Sequence, residues 1–311
     1  MRRMFGIERQ VSDMNNQSLF DSFFHEKSLS FLDRLIQLSL DEDGKDLTSM
    51  ALFSENEQAE AGIKVKQDTL VVGLPIVPMI LGRFPGHVRI EFVVSEGAHV
   101  PAGTHVVKFQ GSATTLLKAE RVILNFIGRL SGIANLTRTF CEKIAGSGVR
   151  LLDTRKTTPG LRYPEKYAVA MGGGTNHRLD LSEMLMLKDN HIDRAGGITP
   201  AVRLLLAAYD PCPPIEVECR TLAEVAEAAA LPVQRIMLDN MSRDEMARAL
   251  AMIPPGMETE ISGGVKLETI AELAALGPTF ISAGALTHSA TCADISMDIY
   301  PVSEKVNSNG S

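Results

Sequence analysis

The chain has 311 residues, of which 45% are hydrophobic, and a formal net charge of −7. This length is enough for one large or two medium domains with a buried core. The acidic balance argues against a general nucleic-acid-binding protein, because binding to a phosphate backbone requires a basic surface. The longest apolar run, residues 70–81, contains two prolines and is too short to cross a bilayer, so we expect no membrane segment.

Four cysteines are scattered through the sequence and form no C-x-x-C pair: Cys141, Cys212, Cys219 and Cys292. A zinc site is therefore not expected. Few, scattered cysteines are typical of proteins in the reducing cytosol. No apolar h-region follows the first three residues, so the sequence predicts no signal peptide. We expect a cytoplasmic protein.

The amino-terminal part begins with a polar, irregular segment, residues 1–18, and residues 303–311 are similar, so we expect a flexible tail at each end. Helical periodicity first occurs at residues 31–40. Alternation of apolar and polar residues predicts half-buried strands at residues 61–66 and 88–93. These strands indicate a small β-rich region.

The turn at residues 95–103 resembles the turn of a biotinyl or lipoyl carrier module. A carrier module needs a lysine at a hairpin tip flanked by small residues or Met, and this turn has none, so we favour a small β-rich domain. A long amphipathic helix is predicted next, over residues 113–146, with an apolar stripe that includes Leu116 and Ile123. Ser131-Gly132 is a candidate break or kink in this helix.

After residue 149 the sequence alternates between short apolar runs and amphipathic helical segments. The predicted strands are residues 149–152, 184–187, 215–217, 235–238, 257–261 and 280–282. The predicted helices are residues 199–209, 221–230, 242–253 and 266–276, with Thr199, Thr221 and Ser242 as N-caps. Repeats of roughly 20 to 30 residues are typical of parallel βα units, which curl into a barrel or form an open sheet.

The residues that end these strands favour the barrel. The ends are Asp153-Thr154-Arg155-Lys156, Lys188-Asp189-Asn190-His191, Glu218-Cys219-Arg220, Asp239-Asn240, Ser262-Gly263-Gly264 and Ser282-Ala283-Gly284-Ala285. Any one of these ends is most often a solvated turn, but together they are typical of a ring-shaped site on the carboxyl-terminal face of a βα barrel. An open Rossmann sheet would carry G-x-G-x-x-G after its first strand, and this sequence does not.

Residues 151–192 concentrate cationic side chains within an acidic protein. They are Arg155, Lys156, Arg162, Lys166, His177, Arg178, Lys188 and His191. Cations at strand ends indicate a pocket for a small polyanion.

The last strand ends have a chemical use as well. Glycines at Gly263-Gly264 and Gly284 let the backbone approach a ligand, and amides at the start of a following helix can hold a phosphate. Ordinary tight turns are the alternative for either glycine site alone. Glu218 and Asp239, on the intervening strands, suit Mg²⁺ or general acid/base chemistry. A phosphorylated sugar with a diphosphate leaving group would fit this arrangement.

A series of short motifs resembles a known family. The motifs are DTRKTTPGLR, GGGTNHR, LKDNHI, EVEC, LDN, SGG and SAGALTHS, with EDGKDLT and AERVILN in the amino half. In this order and spacing they are similar to the quinolinate phosphoribosyltransferases, also called nicotinate-nucleotide pyrophosphorylases. The similarity covers residues 29–299, and the coincidence of so many motifs makes it specific.

The resemblance implies an N-terminal mixed α/β sandwich domain followed by an incomplete α/β barrel of about seven strands, one fewer than a closed βα barrel. Because the apolar runs give six strands, one strand is missed or wrongly assigned. The expected organisation is a tail at residues 1–18, the sandwich domain and its linking helix at 19–146, the barrel at 147–290, and a segment at 291–311 that returns to the N-terminal domain and ends in a tail.

The resemblance also implies functional residues. Quinolinate and the phosphoribosyl group would be held by Arg155, Lys156, His177, Arg178 and Lys188, with Arg121 from a neighbouring subunit. Arginine suits bidentate recognition of carboxylates. Glu218 and Asp239 would engage the ribose and Mg²⁺, directly or through water, and the 5′-phosphate would be bound by Ser262, Gly263, Gly264 and Gly284. The expected catalytic residues are Lys156, Lys188, Glu218 and Asp239. The role of Arg162 stays open, with an ion pair to Glu165 as one use.

The implied reaction joins quinolinate and phosphoribosyl pyrophosphate to give nicotinate mononucleotide, pyrophosphate and carbon dioxide. The expected cofactor is Mg²⁺, with no organic cofactor. The expected partners are the two substrates and further copies of this chain, as a homodimer or homohexamer, with no nucleic acid and no membrane.

Other interpretations remain open. A phosphoribosyltransferase-like protein linked to molybdenum transport, or a nicotinate phosphoribosyltransferase, is closely related, although the full cationic set favours a dicarboxylate substrate. A Schiff-base aldolase would use Lys156 or Lys188 as its amine. A non-catalytic binding or scaffold protein would not need metal-type carboxylates beside a phosphate cradle.

Overall fold

The structure is a computed structural model that describes residues 14–54 and 56–302, with only the backbone described for residues 14–18. The tails predicted at residues 1–13 and 303–311 therefore lie outside the described residues. Residues 14–18, which we also expected in the tail, instead begin a helix that runs from Met14 to Phe23. In the part of the chain that is described, no helix has the length and apolarity needed to cross a membrane.

Helices and strands are numbered in chain order. The helices are α1 (Met14–Phe23), α2 (Glu26–Glu42), α3 (Leu47–Leu52), α4 (Val77–Leu81), α5 (Ala113–Lys143), α6 (Arg162–Met171), α7 (Asp189–Ala195), α8 (Ile198–Ala208), α9 (Leu222–Ala229), α10 (Arg243–Met252), α11 (Ile270–Ala274) and α12 (Ala285–His288). The strands are β1 (Gln58–Val65), β2 (Thr69–Leu70), β3 (Arg89–Phe92), β4 (His99–Val100), β5 (His105–Ser112), β6 (Arg150–Leu152), β7 (Leu185–Leu187), β8 (Ile215–Cys219), β9 (Arg235–Asp239), β10 (Glu258–Ser262), β11 (Phe280–Ser282) and β12 (Ile295–Pro301).

The chain divides into two compact units. The first contains the described residues up to Asn135, together with Tyr163–Met171 and the segment from Thr291. Its antiparallel sheet has the strand order β12-β1-β5-β3, and β2 pairs separately with β4. The boundary falls within α5, before the limit at residue 146 expected from sequence, and most of α6 belongs to this unit because its side chains are buried there.

Helix α2 extends the periodic segment predicted at residues 31–40. Its buried stripe consists of Leu32, Ile36 and Leu40, which are spaced by four residues and so share one face. The helix begins after His25, whose backbone N–H donates to the Ser28 hydroxyl at 3.1 Å.

Helix α5 runs without interruption to Lys143, so the break or kink predicted at Ser131-Gly132 is wrong. These small residues serve close packing instead. The Ser131 hydroxyl accepts the Val72 N–H at 3.0 Å, and a Cβ on Gly132 would overlap the Thr291 carbonyl. The sequence signal for a helix break was therefore a signal for close approach of two other backbone segments.

The buried carboxylate of Glu96 connects its own segment by hydrogen bonds to two other segments of the first unit, residues 73–74 and helix α6. Its Oε1 accepts the Gly73 N–H at 2.8 Å and the Tyr167 hydroxyl at 2.9 Å, and its Oε2 accepts the Leu74 N–H at 2.9 Å. We expect Glu96→Gln to lower the free energy of unfolding by about 1–3 kcal/mol, because the new NH₂ group would face a buried donor. Equilibrium unfolding in urea measures this change.

The matched control for that substitution is Glu91→Gln, since Glu91 is exposed and lies 3.9 Å from Lys108. Its effect should stay within about 0.5 kcal/mol. Equal stability of the Glu96 and Glu91 variants would contradict the role given to Glu96.

The second unit comprises Leu136–Arg162 and Gly172–Ala290. Its parallel strands pair in the order β6-β11-β10-β9-β8-β7. Each of these strands lies within two residues of its predicted bounds. The seventh strand suggested by the resemblance is reduced, within the described chain, to an isolated bridge between Leu152 and Thr175.

Helices α8, α9 and α10 agree with the predicted segments, whereas α11 covers only Ile270–Ala274 of the predicted residues 266–276, and α7 and α12 were not predicted. The predicted caps agree in part. Thr221 and Ser242 accept the backbone N–H groups of Glu224 and Glu245 in capping boxes. Thr199 was expected to cap α8, but its hydroxyl instead donates to the Glu227 carboxylate at 2.7 Å, and α8 begins after Gly197.

The parallel sheet curls into an incomplete barrel. Thr175 lies beside β6, so a flat sheet would place the neighbouring His177 roughly 20 Å from β8. His177 Nε2 nevertheless lies 3.0 Å from Glu216 Oε2 on β8. Arg178 then donates to the Met184 carbonyl just before β7 at 2.9 Å. Residues 175–178 therefore span the gap between the two edge strands, and the expected incomplete α/β barrel is confirmed.

Candidate active site

The carboxyl ends of β6 and β11 bring a lysine beside a glycine. A Cβ on Gly284 would lie 3.0 Å from Lys156 Cδ, so the two residues are in contact. The Thr287 hydroxyl donates to the Lys156 carbonyl at 2.9 Å and fixes the same segment. The Lys156 side chain is exposed, so its ammonium can meet an anionic ligand at the barrel mouth.

A second cation lies next to a carboxylate at the ends of β7 and β8. Lys188 Nζ is 3.4 Å from Glu218 Oε2. Burial raises the pKa of Glu218, and the charge of Asp239 adds to this increase, while Lys188 opposes it. Glu218 and Asp239 therefore lie close enough to repel each other, and a cation between them would relieve that repulsion.

The end of β9 is tied to the end of β10. Asn240 has a positive φ of 53° and donates from its backbone N–H to the Ser262 carbonyl at 3.1 Å. Its side-chain amide donates to Asp239 at 2.9 Å. Gly263 has a φ of 93°, and a Cβ there would overlap the Asn240 amide. Only glycine fits at this position, for both steric and conformational reasons.

The predicted phosphate-binding glycines lie on adjacent strands, since β10 pairs with β11. The backbone after Gly264 does not enter a helix at once, because α11 begins only at Ile270. After Gly284 the short helix α12 begins directly. Sequence reasoning missed His288 on α12, whose Nε2 would lie 3.2 Å from a Cβ on Gly284. The histidine of the SAGALTHS motif was the available signal for it.

The arginines of the basic segment lie close to each other. Arg178 is buried and donates to the Met184 carbonyl and to Met186 Sδ at 2.9 and 3.5 Å. Burial lowers the pKa of Arg178, and the charge of Arg155 lowers it further. Among the described residues, the buried Nε of Arg155 has no hydrogen-bond partner. An oxyanion here would satisfy this donor and offset the repulsion between the two guanidinium groups.

Below the mouth, the barrel interior is unusually polar. His177 Nε2 lies 3.0 Å from Glu216 Oε2 and 3.6 Å from Glu260 Oε2. Arg235 Nη1 lies 3.1 Å from Glu260 Oε2, and the Arg235 guanidinium stacks on Phe280 at 4.1 Å from the ring centre. Branched apolar residues usually fill this space in βα barrels. Sequence reasoning singled out only His177 of this cluster, because strand periodicity does not show which interior positions are polar.

The same cluster has the residue types of a metal site, since one ligand atom each from His177, Glu216 and Glu260 lies within 4.8 Å of the others. Arg235 argues against a cation here because its guanidinium already pairs with Glu260 and lies 3.9 Å from Glu216. The oxygen donors at the mouth, Glu218 and Asp239, match Mg²⁺ better, since no guanidinium is paired with them within the described chain.

The interior carboxylates should make stability depend on pH. Burial raises the pKa of Glu216 and of Glu260 to about 7 from an ordinary value of 4.5. Between these values the folded state keeps a proton that the unfolded state releases, so the free energy of unfolding should fall as pH rises from about 4.5 to about 7. For Glu260→Gln the decrease should be smaller by about 1–3 kcal/mol. Urea unfolding at several pH values tests this, and identical slopes would contradict it.

Two further arginines named from the sequence are Arg121 and Arg162. Arg121 is exposed on α5 in the first unit. Arg162 donates to the Thr157 hydroxyl and the Leu179 carbonyl at 3.3 and 3.4 Å, so it holds the loops of the basic segment. Glu165, suggested as its ion-pair partner, instead accepts from Arg129 at 2.8 Å.

Comparisons with known proteins converge on one family. Residues 46–131 match the profile of the quinolinate phosphoribosyl transferase N-terminal domain, and residues 133–298 match that of the C-terminal domain.

A quinolinate phosphoribosyltransferase [decarboxylating] from Nicotiana tabacum is 40% identical over 286 residues, which cover 85% of this chain and 81% of the relative. A probable nicotinate-nucleotide pyrophosphorylase [carboxylating] from Bacillus subtilis is 39% identical, covering 84% and 90%. The crystal structure of NadC from Streptococcus pyogenes is similar with a TM-score of 0.82 at 36% identity, covering 88% and 98%.

Proposed function

This chain belongs to the quinolinate phosphoribosyltransferase family, and we propose that the mouth of its barrel carries out the family's reaction. The enzyme transfers the phosphoribosyl group of phosphoribosyl pyrophosphate to quinolinate with loss of carbon dioxide, a step of NAD biosynthesis. The strongest support for placing this reaction at the barrel mouth is one observation. Lys156 packs beside Gly284, and Lys188 pairs with Glu218, at the carboxyl ends of strands in one curled sheet.

Quinolinate is a dianion, and the basic segment supplies its counter-charges. In the proposed complex, Arg155 and Arg178 bind the carboxylates in bidentate fashion, which the open Nε of Arg155 permits. Lys156 and Lys188 add point charges from the exposed mouth. The 5′-phosphate would bind to backbone N–H groups at Gly263, Gly264 and Gly284, where the lack of a side chain lets a ligand approach the backbone. The Ser262 hydroxyl would contribute a further hydrogen bond.

Magnesium fits the oxygen donors at the ends of β8 and β9. Glu218 and Asp239 would hold it, directly or through water, together with substrate oxygens. Bound there, Mg²⁺ would neutralise charge on the departing pyrophosphate. We propose no organic cofactor, because the substrate itself supplies the electron sink for decarboxylation.

In the first chemical step, the quinolinate ring nitrogen forms a bond to the anomeric carbon as the bond to pyrophosphate oxygen breaks. Positive charge develops on the sugar, and the carboxylate of Glu218 or Asp239 stabilises it electrostatically. Lys188, paired with Glu218 at 3.4 Å, orients that carboxylate and opposes the increase that burial causes in its pKa, which favours the ionised form.

In the second step, the ring nitrogen carries a positive charge and draws electrons from the adjacent carbon. The bond from that carbon to its carboxylate breaks, carbon dioxide leaves, and the carbon then takes up a proton. The cations accelerate the reaction only if they favour this geometry over the bound ground state. Catalysis by this chain is therefore mainly positioning and electrostatics.

We also propose that the protein acts as a homo-oligomer, a dimer or a hexamer, in which Arg121 of one copy completes the site of another. The exposure of Arg121 on α5 is compatible with this role. A cytoplasmic location remains part of the proposal, on the basis of the four unpaired cysteines.

The direct test is release of carbon dioxide from carboxyl-labelled quinolinate by the purified protein, with and without phosphoribosyl pyrophosphate and Mg²⁺. Release that requires both supports the proposal, and a folded protein without any release would overturn it. A panel containing nicotinate and other pyridine carboxylates tests the related activities. Borohydride trapping with a carbonyl substrate tests the Schiff-base alternative, which predicts a covalent adduct on Lys156 or Lys188.

A further inference from the structure

We propose that His177 is a positioning residue that does not contact substrate, and that it couples the buried carboxylates of Glu216 and Glu260 to the orientation of Arg178. This inference rests on the proposed function, in which Arg178 binds a carboxylate of quinolinate. It replaces the direct substrate contact expected for His177 from sequence.

Both ring nitrogens of His177 face protein groups. The Arg178 backbone N–H donates to Nδ1 at 2.7 Å, so Nδ1 carries no proton. The ring is then neutral with its proton on Nε2. Nε2 lies 3.0 Å from a carboxylate oxygen of Glu216 and 3.6 Å from one of Glu260, close enough for electrostatic attraction although not in hydrogen-bond geometry. The His177 side chain is only 5% exposed, and its neighbour Glu216 comes two residues before the mouth residue Glu218 on β8.

The backbone of His177 is fixed as tightly as its ring. Asp153, fully buried at the end of β6, accepts the His177 N–H and the side-chain amide of Asn176, both at 2.8 Å. The ring and the backbone are therefore held by three strands of the curled sheet, β6, β8 and β10. Rotation of the ring would break the contact with Arg178 N–H, so the loop conformation and the ring orientation depend on each other.

In the proposal, these contacts of His177 set the orientation of Arg178. Its backbone is fixed by His177 Nδ1, and its guanidinium by the Met184 carbonyl at 2.9 Å. The charge of Arg155 lowers the pKa of Arg178, and the buried Nε of Arg155 has no hydrogen-bond partner among the described residues. Small rotations of the loop would move Arg178 out of register with a planar carboxylate, because bidentate binding is strongly directional.

The carboxylates of Glu216 and Glu260 are themselves oriented by the guanidinium of Arg235. Arg235 lies 3.1 Å from Glu260 and 3.9 Å from Glu216, and it stacks on Phe280. Burying such a cluster gives little net stability compared with apolar residues of similar size. In this proposal, the attraction between the two carboxylates and His177 is the reason that the barrel interior keeps charged residues at this level.

The test measures separate KM values for the two substrates in Glu216→Gln, Glu260→Gln and His177→Asn. Asparagine keeps an acceptor near the position of Nδ1 but cannot reach the carboxylates. We expect the KM for quinolinate to rise about tenfold or more in each variant, with the KM for phosphoribosyl pyrophosphate within about twofold, because only the orientation of the Arg178 carboxylate clamp is lost. The double variant His177→Asn/Glu216→Gln should lose less than the product of the single losses, since both break the same contact.

Glu258→Gln is the matched control. Glu258 is also on β10 and pairs with Arg235 at 2.9 Å, but it is not part of the cluster formed by His177, Glu216 and Glu260. We expect its KM for quinolinate to stay within about twofold of the wild-type value. A large KM increase for His177→Asn with unchanged values for Glu216→Gln and Glu260→Gln would overturn the inference, because it indicates direct substrate contact.

A measurement on the unmodified protein tests the inference even if the substituted proteins fail to fold. Nitrogen-15 NMR of labelled histidines should show His177 as the neutral tautomer protonated on Nε2, with little change when quinolinate is added. A His177 resonance protonated on Nδ1, or one that shifts strongly with quinolinate, would overturn the positioning role. This readout needs no turnover, so failure of the proposed function, seen as absence of carbon dioxide release by the wild type, is distinguished from failure of this inference.

Discussion

Lys156→Ala is expected to fold normally and to lose turnover by a factor of about 100 or more at saturating substrates, the scale seen when one electrostatic donor to a transition state is removed. The Lys156 side chain is exposed, so its removal leaves no cavity in the core. Its position beside Gly284 nevertheless places its charge where phosphate and carboxylates would meet. Initial rates of carbon dioxide release and thermal unfolding, measured on the same preparation, give the two quantities separately.

The matched control is Lys143→Ala, because Lys143 is an exposed lysine of the same unit at the end of α5. It should keep wild-type turnover and stability. Arg155→Ala and Lys188→Ala are expected to behave like Lys156→Ala. Near-wild-type turnover of Lys156→Ala at saturating substrates would show that this lysine has no role in the chemistry.

Arg121→Ala should also be nearly inactive, and mixing it with Lys156→Ala should restore activity. If each site combines the barrel of one copy with Arg121 of another, a mixed dimer contains one site in which both residues are intact. Random exchange between equal amounts would then recover about a quarter of the wild-type activity. The experiment mixes the two purified variants, allows subunits to exchange, and follows carbon dioxide release over time.

Each variant alone, taken through the same exchange procedure, provides the baseline. A second control mixes Lys156→Ala with Lys188→Ala. Both residues belong to the second unit and are placed in the same site, so a mixed dimer of this pair still has one defect in every site and should stay inactive. Failure of the first mixture to recover activity, with exchange verified by mass spectrometry, would show that Arg121 does not act in the site of another copy.

The strands of the barrel could be predicted because each is a short apolar run between a helix and a polar turn. Their bounds came out within two residues, as for Arg235–Asp239, because burial on both faces leaves a mostly apolar run, although β8 and β10 also carry the buried Glu216 and Glu260. The position of the residues that follow the strands could also be predicted, since parallel strands place all their carboxyl ends on one face of the barrel. Gly263 and Asn240 were both noticed at strand ends for the same reason, although the close contact between them was not foreseen.

Other features depended on residues far apart in sequence. Ser131 and Gly132 looked like a helix break, but they admit the backbone near Val72 and Thr291. The segment Tyr163–Met171 looked like part of the barrel, yet it belongs to the first unit, where the Tyr167 hydroxyl donates to Glu96. Small residues and polar side chains give the same local signal whether they face solvent or another segment.

By itself, the sequence determined the order of the six barrel strands and of helices α8 to α11 between them, the family, and the set of cations and carboxylates at the strand ends, because these follow from local periodicity and from motifs. The tertiary structure alone decided which way each side chain points within the barrel. It placed the His177 ring 3.0 Å from Glu216 and 3.6 Å from Glu260, and it placed Arg235 3.1 Å from Glu260. The physical reason is that curling of the sheet brings together residues from strands that would lie far apart in a flat sheet.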